Sequence, residues 1–178
     1  MRKQIRKYLP DHQAIQNNRW LAPFGDTLLH PRLWHLNRHS AAGAVAVGMF
    51  CGLIPGPFQM LGAAIGAVLF RVNLPLALLT TLYTNPLTIV PLYIVAFALG
   101  NLILGGGAFI MPPDYGAAGF WAWIHALVDW MLDLGMPLLL GLVLLASLLA
   151  VAGYVVTRFL WRLYLMRAWT RRHRSKSA

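Results

Sequence analysis

Few side chains in this sequence can do chemistry, and those that can are gathered near two interruptions of uncharged segments. The polar candidates are Gln59, Arg71, Asn73, Asn85, Thr88 and Tyr93. A helix that restarts after an interruption directs its first N–H groups towards the gap, which favours an anion there. Arg71 stands alone between two long uncharged runs and can pair with a phosphate or a carboxylate. We therefore predict that these residues contact an anionic ligand. The alternative is that they satisfy the interrupted backbone while Arg71 reaches the lipid headgroups.

The interruptions themselves consist of proline and glycine. A Pro-Gly-Pro motif divides the uncharged stretch Ser40–Phe70, and an Asn-Pro pair divides residues 72–113. Proline lacks a backbone N–H and clashes with the preceding helical turn, so neither helix can continue. Paired interrupted segments are typical of transporters, where irregular backbone lines a polar cavity in the bilayer. The residues predicted to shape these helix breaks are Gly52, Pro55, Gly56, Pro57 and Pro86.

A second group of ionisable residues lies further along the chain. His125, Asp129 and Asp133 are spaced by four residues and share one face of a predicted helix. They can ligate a divalent metal or relay protons, but the favoured interpretation is the polar face of a surface helix. The sequence has no nucleophile–base pair, phosphate-binding glycine loop or cysteine cluster. It therefore predicts neither an enzyme nor a bound cofactor or metal.

Composition indicates the environment of these groups. The chain is 58% hydrophobic and 11% charged, and its mean hydropathy is +0.60, values that favour an integral membrane protein over a soluble domain. Lys and Arg number 15 against 5 Asp and Glu. Because the positive residues flank hydrophobic segments, the predicted partner is the anionic lipid bilayer rather than nucleic acid.

The chain is predicted to consist of a basic arm, a membrane domain and a basic tail. A helix beginning at Pro31 is expected to lie at the interface and lead into the membrane. The predicted fold is an all-α integral membrane protein, a bundle with interrupted or re-entrant helices plus interfacial amphipathic helices. The boundaries are 1–29 for the arm, 30–165 for the membrane domain and 166–178 for the tail; within the membrane domain they are 40–70 and 72–104 for the interrupted segments, 105–133 for the amphipathic connection and 134–157 for the final span.

The distribution of Lys and Arg predicts the orientation. Both ends of the chain are rich in these residues, whereas the connection 105–133 has none. The positive-inside rule therefore places both termini in the cytoplasm of a multi-pass protein. An odd number of crossings must then precede the final span, so one interrupted segment crosses and the other returns. We favour Ser40–Phe70 as the re-entrant segment.

Several motifs resemble the bacterial membrane family known as domain of unknown function 2062, over about residues 30–165. They are Leu33-Trp34, Pro55-Gly56-Pro57-Phe58-Gln59-Met60, Arg71-Val72-Asn73-Leu74-Pro75 and Asn85-Pro86-Leu87-Thr88, followed by Pro91, Tyr93 and Gly100. The resemblance implies a small protein of the bacterial inner membrane without an established activity. Some relatives carry a glycosyltransferase domain, which implies a connection with envelope polysaccharide or lipid-carrier metabolism. The broken-helix plan is also similar to DedA-type lipid transporters, in architecture only.

Two functional hypotheses follow. The first is a membrane protein that binds or transports a small anionic or lipid-linked envelope substrate. The second is a non-transporting docking or assembly module for an envelope-biogenesis enzyme, which would bind a membrane-protein partner or a second copy of itself through its small-residue faces.

Overall fold

A computed structural model of the protein describes residues 31–56, 58–105, 108–113 and 119–174. The predicted arm 1–29, Pro57 and the last four residues of the tail lie outside this part of the chain. Within it the backbone forms α-helices and turns without a strand, so the all-α prediction is confirmed. The helices are α1 Pro31–Trp34, α2 Arg38–Cys51, α3 Phe58–Leu69, α4 Leu74–Thr81, α5 Ile89–Leu104, α6 Phe120–Asp133 and α7 Gly135–Arg174.

Both predicted helix breaks are present. Helix α2 ends at Cys51 and α3 begins at Phe58, on either side of the Pro-Gly-Pro motif. Gly52 caps α2, and its N–H donates to Gly48 O at 2.9 Å. Gly56 adopts φ +69°, a left-handed conformation that glycine tolerates at little cost. The second break separates α4 from α5 and contains the exposed Pro86.

The expected interfacial helix from Pro31 is broken rather than continuous, which corrects that prediction. Helix α1 has only four residues, and α2 begins after Asn37. Asn37 is extended at φ −133° and ψ 171°, and its Oδ1 accepts hydrogen bonds from the N–H groups of His39 (3.0 Å) and Ser40 (2.9 Å). An asparagine with this geometry is a strong N-cap, so a new helix begins directly after it.

The helices form two compact units. The first unit consists of the chain up to Thr81 together with the chain from Ala150 onwards, and the second unit is Leu82–Leu149. In the first unit α2, α3 and α4 pack around small side chains, with Ala44, Ala67, Val72 and Ala77 at the centre. A Cβ on Gly48 would lie 2.5 Å from Ala77 O, so α2 and α4 approach closely only because this residue is glycine.

The second unit has a similarly close crossing. A Cβ on Gly100 of α5 would overlap Pro137 O, and one on Gly141 of α7 would overlap Ala96 O. Helix α6 buries Trp123, Leu127 and Trp130 along one face. The indole Nε1–H of Trp130 donates to Ile110 O at 2.9 Å and so fixes the segment before α6.

Helix α7 contains nearly all of the segment that was predicted as the final span. Residues Gly135–Met166 form one helix that is long and apolar enough to cross a membrane, and this range contains the predicted 134–157 except for its first residue. At 1.5 Å per residue the uncharged part of this helix, 135–157, is longer than the hydrocarbon thickness of about 30 Å. Its large apolar side chains, among them Val151 and Val155, are mostly exposed.

Candidate functional site

Arg71 occupies an unusual backbone position at the end of α3. Its N–H donates to Val68 O at 3.2 Å, and the N–H of Val72 donates to Ala67 O at 3.0 Å. These two bonds form a Schellman motif, in which the residue after the helix adopts the left-handed conformation and is usually glycine. Arg71 has φ +52° and is the only described non-glycine residue with positive φ. An arginine in this left-handed conformation is less stable than a glycine would be, by about 1–2 kcal/mol of backbone conformational energy.

The turn that carries Arg71 is held by buried contacts on both sides. Asn73 is 6% exposed; its Oδ1 accepts from Leu76 N–H at 2.9 Å and so caps α4. The N–H of Asn73 donates to Ser40 O at 3.4 Å, which ties the turn to the first turn of α2. A Cβ on Gly43 would lie 2.5 Å from Val72 Cγ1, so only glycine lets α2 approach this closely. Arg71 is therefore fixed beside the N-terminus of α2.

Arg71 lines a cavity of about 560 Å³, which we call the Arg71 cleft. Backbone and side chains of α2, the turn after α3 and α7 contribute to it. Its polar and apolar lining residues are Asn37, His39, Ser40, Gly43, Leu69, Phe70, Arg71, Val72 and Tyr154. The N–H groups of His39 and Ser40, in the first turn of α2, already donate to Asn37 Oδ1 and are not open to a ligand in this cleft.

A second cavity in the first unit has a volume of about 450 Å³, and we call it the arginine cleft. It is lined by Arg38, Arg158, Phe159, Trp161, Arg162 and Leu165. Two contacts connect the clefts: Arg38 Nε–H donates to His39 Nε2 at 3.1 Å, and Arg158 Nη1 donates to the phenolic oxygen of Tyr154 at 3.4 Å.

Packing of α7 against α2 brings the second group of cations into place. A Cβ on Gly153 would lie 3.0 Å from Val45 Cγ1 and 3.2 Å from Met49 Cγ, so the two helices are in close contact there. Arg158, further along α7, lines the same cavity as Arg38 at the start of α2. The two helices are therefore antiparallel. The positively charged ends of both helices consequently meet.

The charged side chains described around the two clefts are all positive. Neither residues 31–81 nor residues 150–174 contain an Asp or a Glu, so the described part of the first unit offers no carboxylate to these guanidinium groups. Arginine presents five donors in a planar fork that matches phosphate and carboxylate oxygens. The arrangement can therefore hold an anion at a surface that also exposes Leu69 and Phe70, each 71% exposed.

The polar residues of the second break bind one another. The N–H of Asn85 donates to Thr88 Oγ1 at 2.9 Å, and Asn85 Oδ1 accepts from Thr88 N–H at 3.1 Å. Thr88 Oγ1 also donates to Tyr83 O at 2.6 Å. This reciprocal pattern satisfies the backbone where α5 begins, as a capping box does. Tyr93, one turn further along α5, is 1% exposed and forms part of the core of the second unit.

The remaining predicted residues are placed as follows. Gln59 lies in the first turn of α3, half-buried, and its N–H donates to Gly56 O at 3.4 Å. His125, Asp129 and Asp133 are all exposed on α6. Among the described residues no three His, Cys, Asp or Glu side chains are grouped as a metal site. The structure brings Arg71 and Asn73 together in one turn, and Asn85 and Thr88 together in another.

A family comparison agrees with the sequence motifs. The model of a family described as uncharacterized protein conserved in bacteria, DUF2062, matches residues 21–170. The chain belongs to the DUF2062 family. No curated protein and no solved structure matches the chain. The resemblance predicted from the motifs is thus confirmed, and for this DUF2062 protein the family carries no assigned activity.

Sequence reasoning missed the long-range part of the candidate site in this DUF2062 protein: His39 lines the same cavity as Arg71, and Arg38, Arg158 and Arg162 together line the other. The two arginines of α7 follow its uncharged run, and Arg38 precedes the first uncharged run. That shared position at the ends of apolar segments, with no carboxylate near any of them, was the available signal.

Proposed function

We propose that this protein is a bacterial inner-membrane protein that binds a phosphate-bearing lipid, or a lipid-linked anionic substrate, through the Arg71 cleft. The observation that carries the proposal is Arg71 itself. An arginine stands at a left-handed position usually taken by glycine and lines a cavity together with His39. A residue kept in a strained conformation commonly serves function rather than stability.

The surroundings of the cleft support a lipid rather than a soluble anion. Leu69, Phe70 and Val72 line the same cavity as Arg71, so a ligand with a charged head and an apolar tail matches both kinds of surface. Arg158 follows the uncharged run of α7 directly, at the position where a membrane-crossing helix reaches the headgroups. Each Lys or Arg near an anionic surface contributes about 1 kcal/mol to its binding.

In this proposal α7 crosses the bilayer and both termini lie in the cytoplasm. Asn85 and Thr88 cap the start of α5 in the second unit, and the proposal gives them no contact with the ligand. Asn73 positions Arg71 by capping α4, and Gln59 lies at the start of the helix that ends at Arg71.

The test is lipid binding by the full chain purified in a neutral detergent. Farnesyl phosphate serves as the lipid probe and inorganic phosphate as the soluble one, with native mass spectrometry or isothermal titration as the measurement. We expect farnesyl phosphate to bind more tightly than inorganic phosphate and Arg71→Gly to weaken it by about fivefold. Arg71→Lys, which keeps the charge, retains more of the affinity.

Two results would count against the proposal. Unchanged binding of farnesyl phosphate by Arg71→Gly would show that this cleft is not the site. Equal affinity for inorganic phosphate would show that the apolar lining plays no part in recognition. In either case the docking-module hypothesis would become the better account of the protein.

A further inference from the structure

Lining residues of the two clefts of the first unit are in contact through two pairs of side chains. Arg38 and His39 are consecutive in sequence, and they line the arginine cleft and the Arg71 cleft respectively. Tyr154 and Arg158 are one helical turn apart on α7 and are divided between the clefts in the same way. Each of these pairs is hydrogen-bonded, so a side chain that lines one cleft contacts a side chain that lines the other.

We propose that the two clefts together bind a lipid headgroup with two phosphate groups, one phosphate in each cleft. This rests on the proposed function, because it takes the Arg71 cleft to be an anion site. It adds the substrate class: a lipid with a diphosphate, or with two phosphates bridged by a short linker, rather than a lipid with a single phosphate.

The charge distribution favours two anionic groups over one. The arginine cleft has the guanidinium groups of Arg38, Arg158 and Arg162, and the Arg71 cleft has the guanidinium group of Arg71. Like charges held close together repel one another, and the described residues of this unit provide no carboxylate to offset that repulsion. One phosphate in either cleft leaves the cations of the other without a counter-charge.

The arginine cleft also has more N–H donors than a single hydrogen bond to a ligand would use. Arg158 is oriented by Tyr154, with its guanidinium carbon 5.6 Å from the ring centroid and Nη1 3.4 Å from the phenolic oxygen. Arg38 uses its Nε–H on His39, which leaves its terminal NH₂ groups for a ligand. Arginine–phosphate pairs are often bidentate, and such pairs are roughly twice as strong as neutral hydrogen bonds.

The apolar part of the ligand also has a surface to meet in the arginine cleft. Phe159 and Leu165 are 59% and 50% exposed, and Trp161 is half-buried between the arginines. Aromatic side chains next to arginine are typical of the depth at which lipid headgroups join their tails. The arginine cleft therefore combines the same two chemistries as the Arg71 cleft.

The test compares one-phosphate and two-phosphate lipids on the full chain in detergent. The probes are farnesyl phosphate against farnesyl diphosphate, phosphatidylglycerol against cardiolipin, and inorganic pyrophosphate as the soluble control. We expect the wild type to prefer at least one two-phosphate lipid over its one-phosphate counterpart by about tenfold. A preference for farnesyl diphosphate indicates directly linked phosphates, and one for cardiolipin indicates bridged phosphates.

Arg162→Gln is the decisive variant, since Arg162 lines the arginine cleft and is not among the lining residues of the Arg71 cleft. We expect it to lower the two-phosphate preference about fivefold, because it weakens the binding of farnesyl diphosphate more than that of farnesyl phosphate. Arg174→Gln removes the same charge further along α7 and should leave the preference intact. Thermal melting of each variant shows whether it is folded.

Three outcomes would overturn the inference. They are equal wild-type affinity for one-phosphate and two-phosphate lipids, equal weakening of both by Arg162→Gln, and binding of pyrophosphate as tight as that of farnesyl diphosphate. Failure of the proposed function is recognised separately, because it requires that Arg71→Gly leave farnesyl phosphate binding unchanged.

Discussion

The guanidinium of Arg158 lies over the ring of Tyr154, 5.6 Å from its centroid, and Nη1 is 3.4 Å from the phenolic oxygen. Tyr154 lines the Arg71 cleft and Arg158 lines the arginine cleft, so this contact lies at the boundary of the two cavities. A cation over an aromatic face at an exposed site contributes about 0.5–1 kcal/mol, enough to bias the orientation of an arginine without fixing it completely.

Substitution of Tyr154 tests that role. Tyr154→Ala removes both the ring and the hydroxyl, and we expect it to weaken binding of a two-phosphate lipid about threefold to fivefold by releasing Arg158. Tyr154→Phe keeps the ring and removes only a long hydrogen bond, so its affinity should lie within about twofold of the wild type. Titration with farnesyl diphosphate measures both variants, and equal losses from both would contradict the positioning role.

Arg71→Gly should separate stability from binding. Relief of left-handed strain, about 1–2 kcal/mol, offsets the entropy that glycine adds to the unfolded chain, about 0.5–1 kcal/mol. We expect the free energy of unfolding to stay equal to that of the wild type or rise slightly, while lipid binding falls. Denaturant unfolding in detergent measures the first quantity. A large loss of stability would show that Arg71 makes contacts important for the fold.

The cap formed by Asn73 should contribute to stability through α4. Asn73→Ala removes the acceptor for Leu76 N–H and should lower the free energy of unfolding by about 1 kcal/mol. Asn73→Ser, which retains a capping oxygen, should recover most of this. Because the turn also presents Arg71, the alanine variant is expected to weaken lipid binding and the serine variant to restore it. Binding that follows neither change would separate the cap from the site.

The second break makes a different prediction, because Asn85 and Thr88 bond to each other. Thr88→Val and Asn85→Ala should each cost about 1 kcal/mol, and the double variant should cost less than their sum. A double-mutant cycle by thermal or denaturant unfolding measures this coupling. If instead either single variant left stability unchanged and abolished lipid binding, these side chains would be ligand contacts rather than caps.

Close packing in the second unit is also testable. Gly100→Ala places a methyl group against Pro137 O, and overpacking of this kind costs about 1–3 kcal/mol. Gly62→Ala is the matched control, since its methyl group would meet the end of the Ile54 side chain at 3.2 Å, and that side chain can move. Melting temperatures should therefore fall clearly for the first variant and little for the second. Equal effects would contradict the packing at Gly100.

The sequence predicted those parts of the fold that depend on local chemistry. The Pro-Gly-Pro motif and the Asn-Pro pair mark the two breaks, and the uncharged run after Asp133 marks α7. These features depend on missing N–H groups and on hydrophobic length, which neighbouring residues determine. The break before Arg38 was missed because the sequence analysis did not consider Asn37, whose extended backbone and capping side chain begin α2.

The composition of the site could not be predicted in the same way. Arg71 was singled out by its isolation in sequence, but its left-handed conformation depends on how the turn packs against Gly43. Arg38 and Arg158 are far apart in the chain and meet only because α7 packs along α2. Such a contact depends on long-range packing, which no periodicity or spacing in the sequence indicates.

The most direct measurement is the distance between the Arg71 guanidinium and lipid phosphorus in the full chain, reconstituted in bilayers that contain anionic lipid. Solid-state NMR with labelled arginine side chains detects nitrogen–phosphorus dipolar coupling, and Arg71→Gly identifies which signal belongs to this residue. The account predicts a coupling typical of a direct guanidinium–phosphate hydrogen bond that disappears in Arg71→Gly. A spectrum in which the variant and the wild type show the same couplings would contradict it.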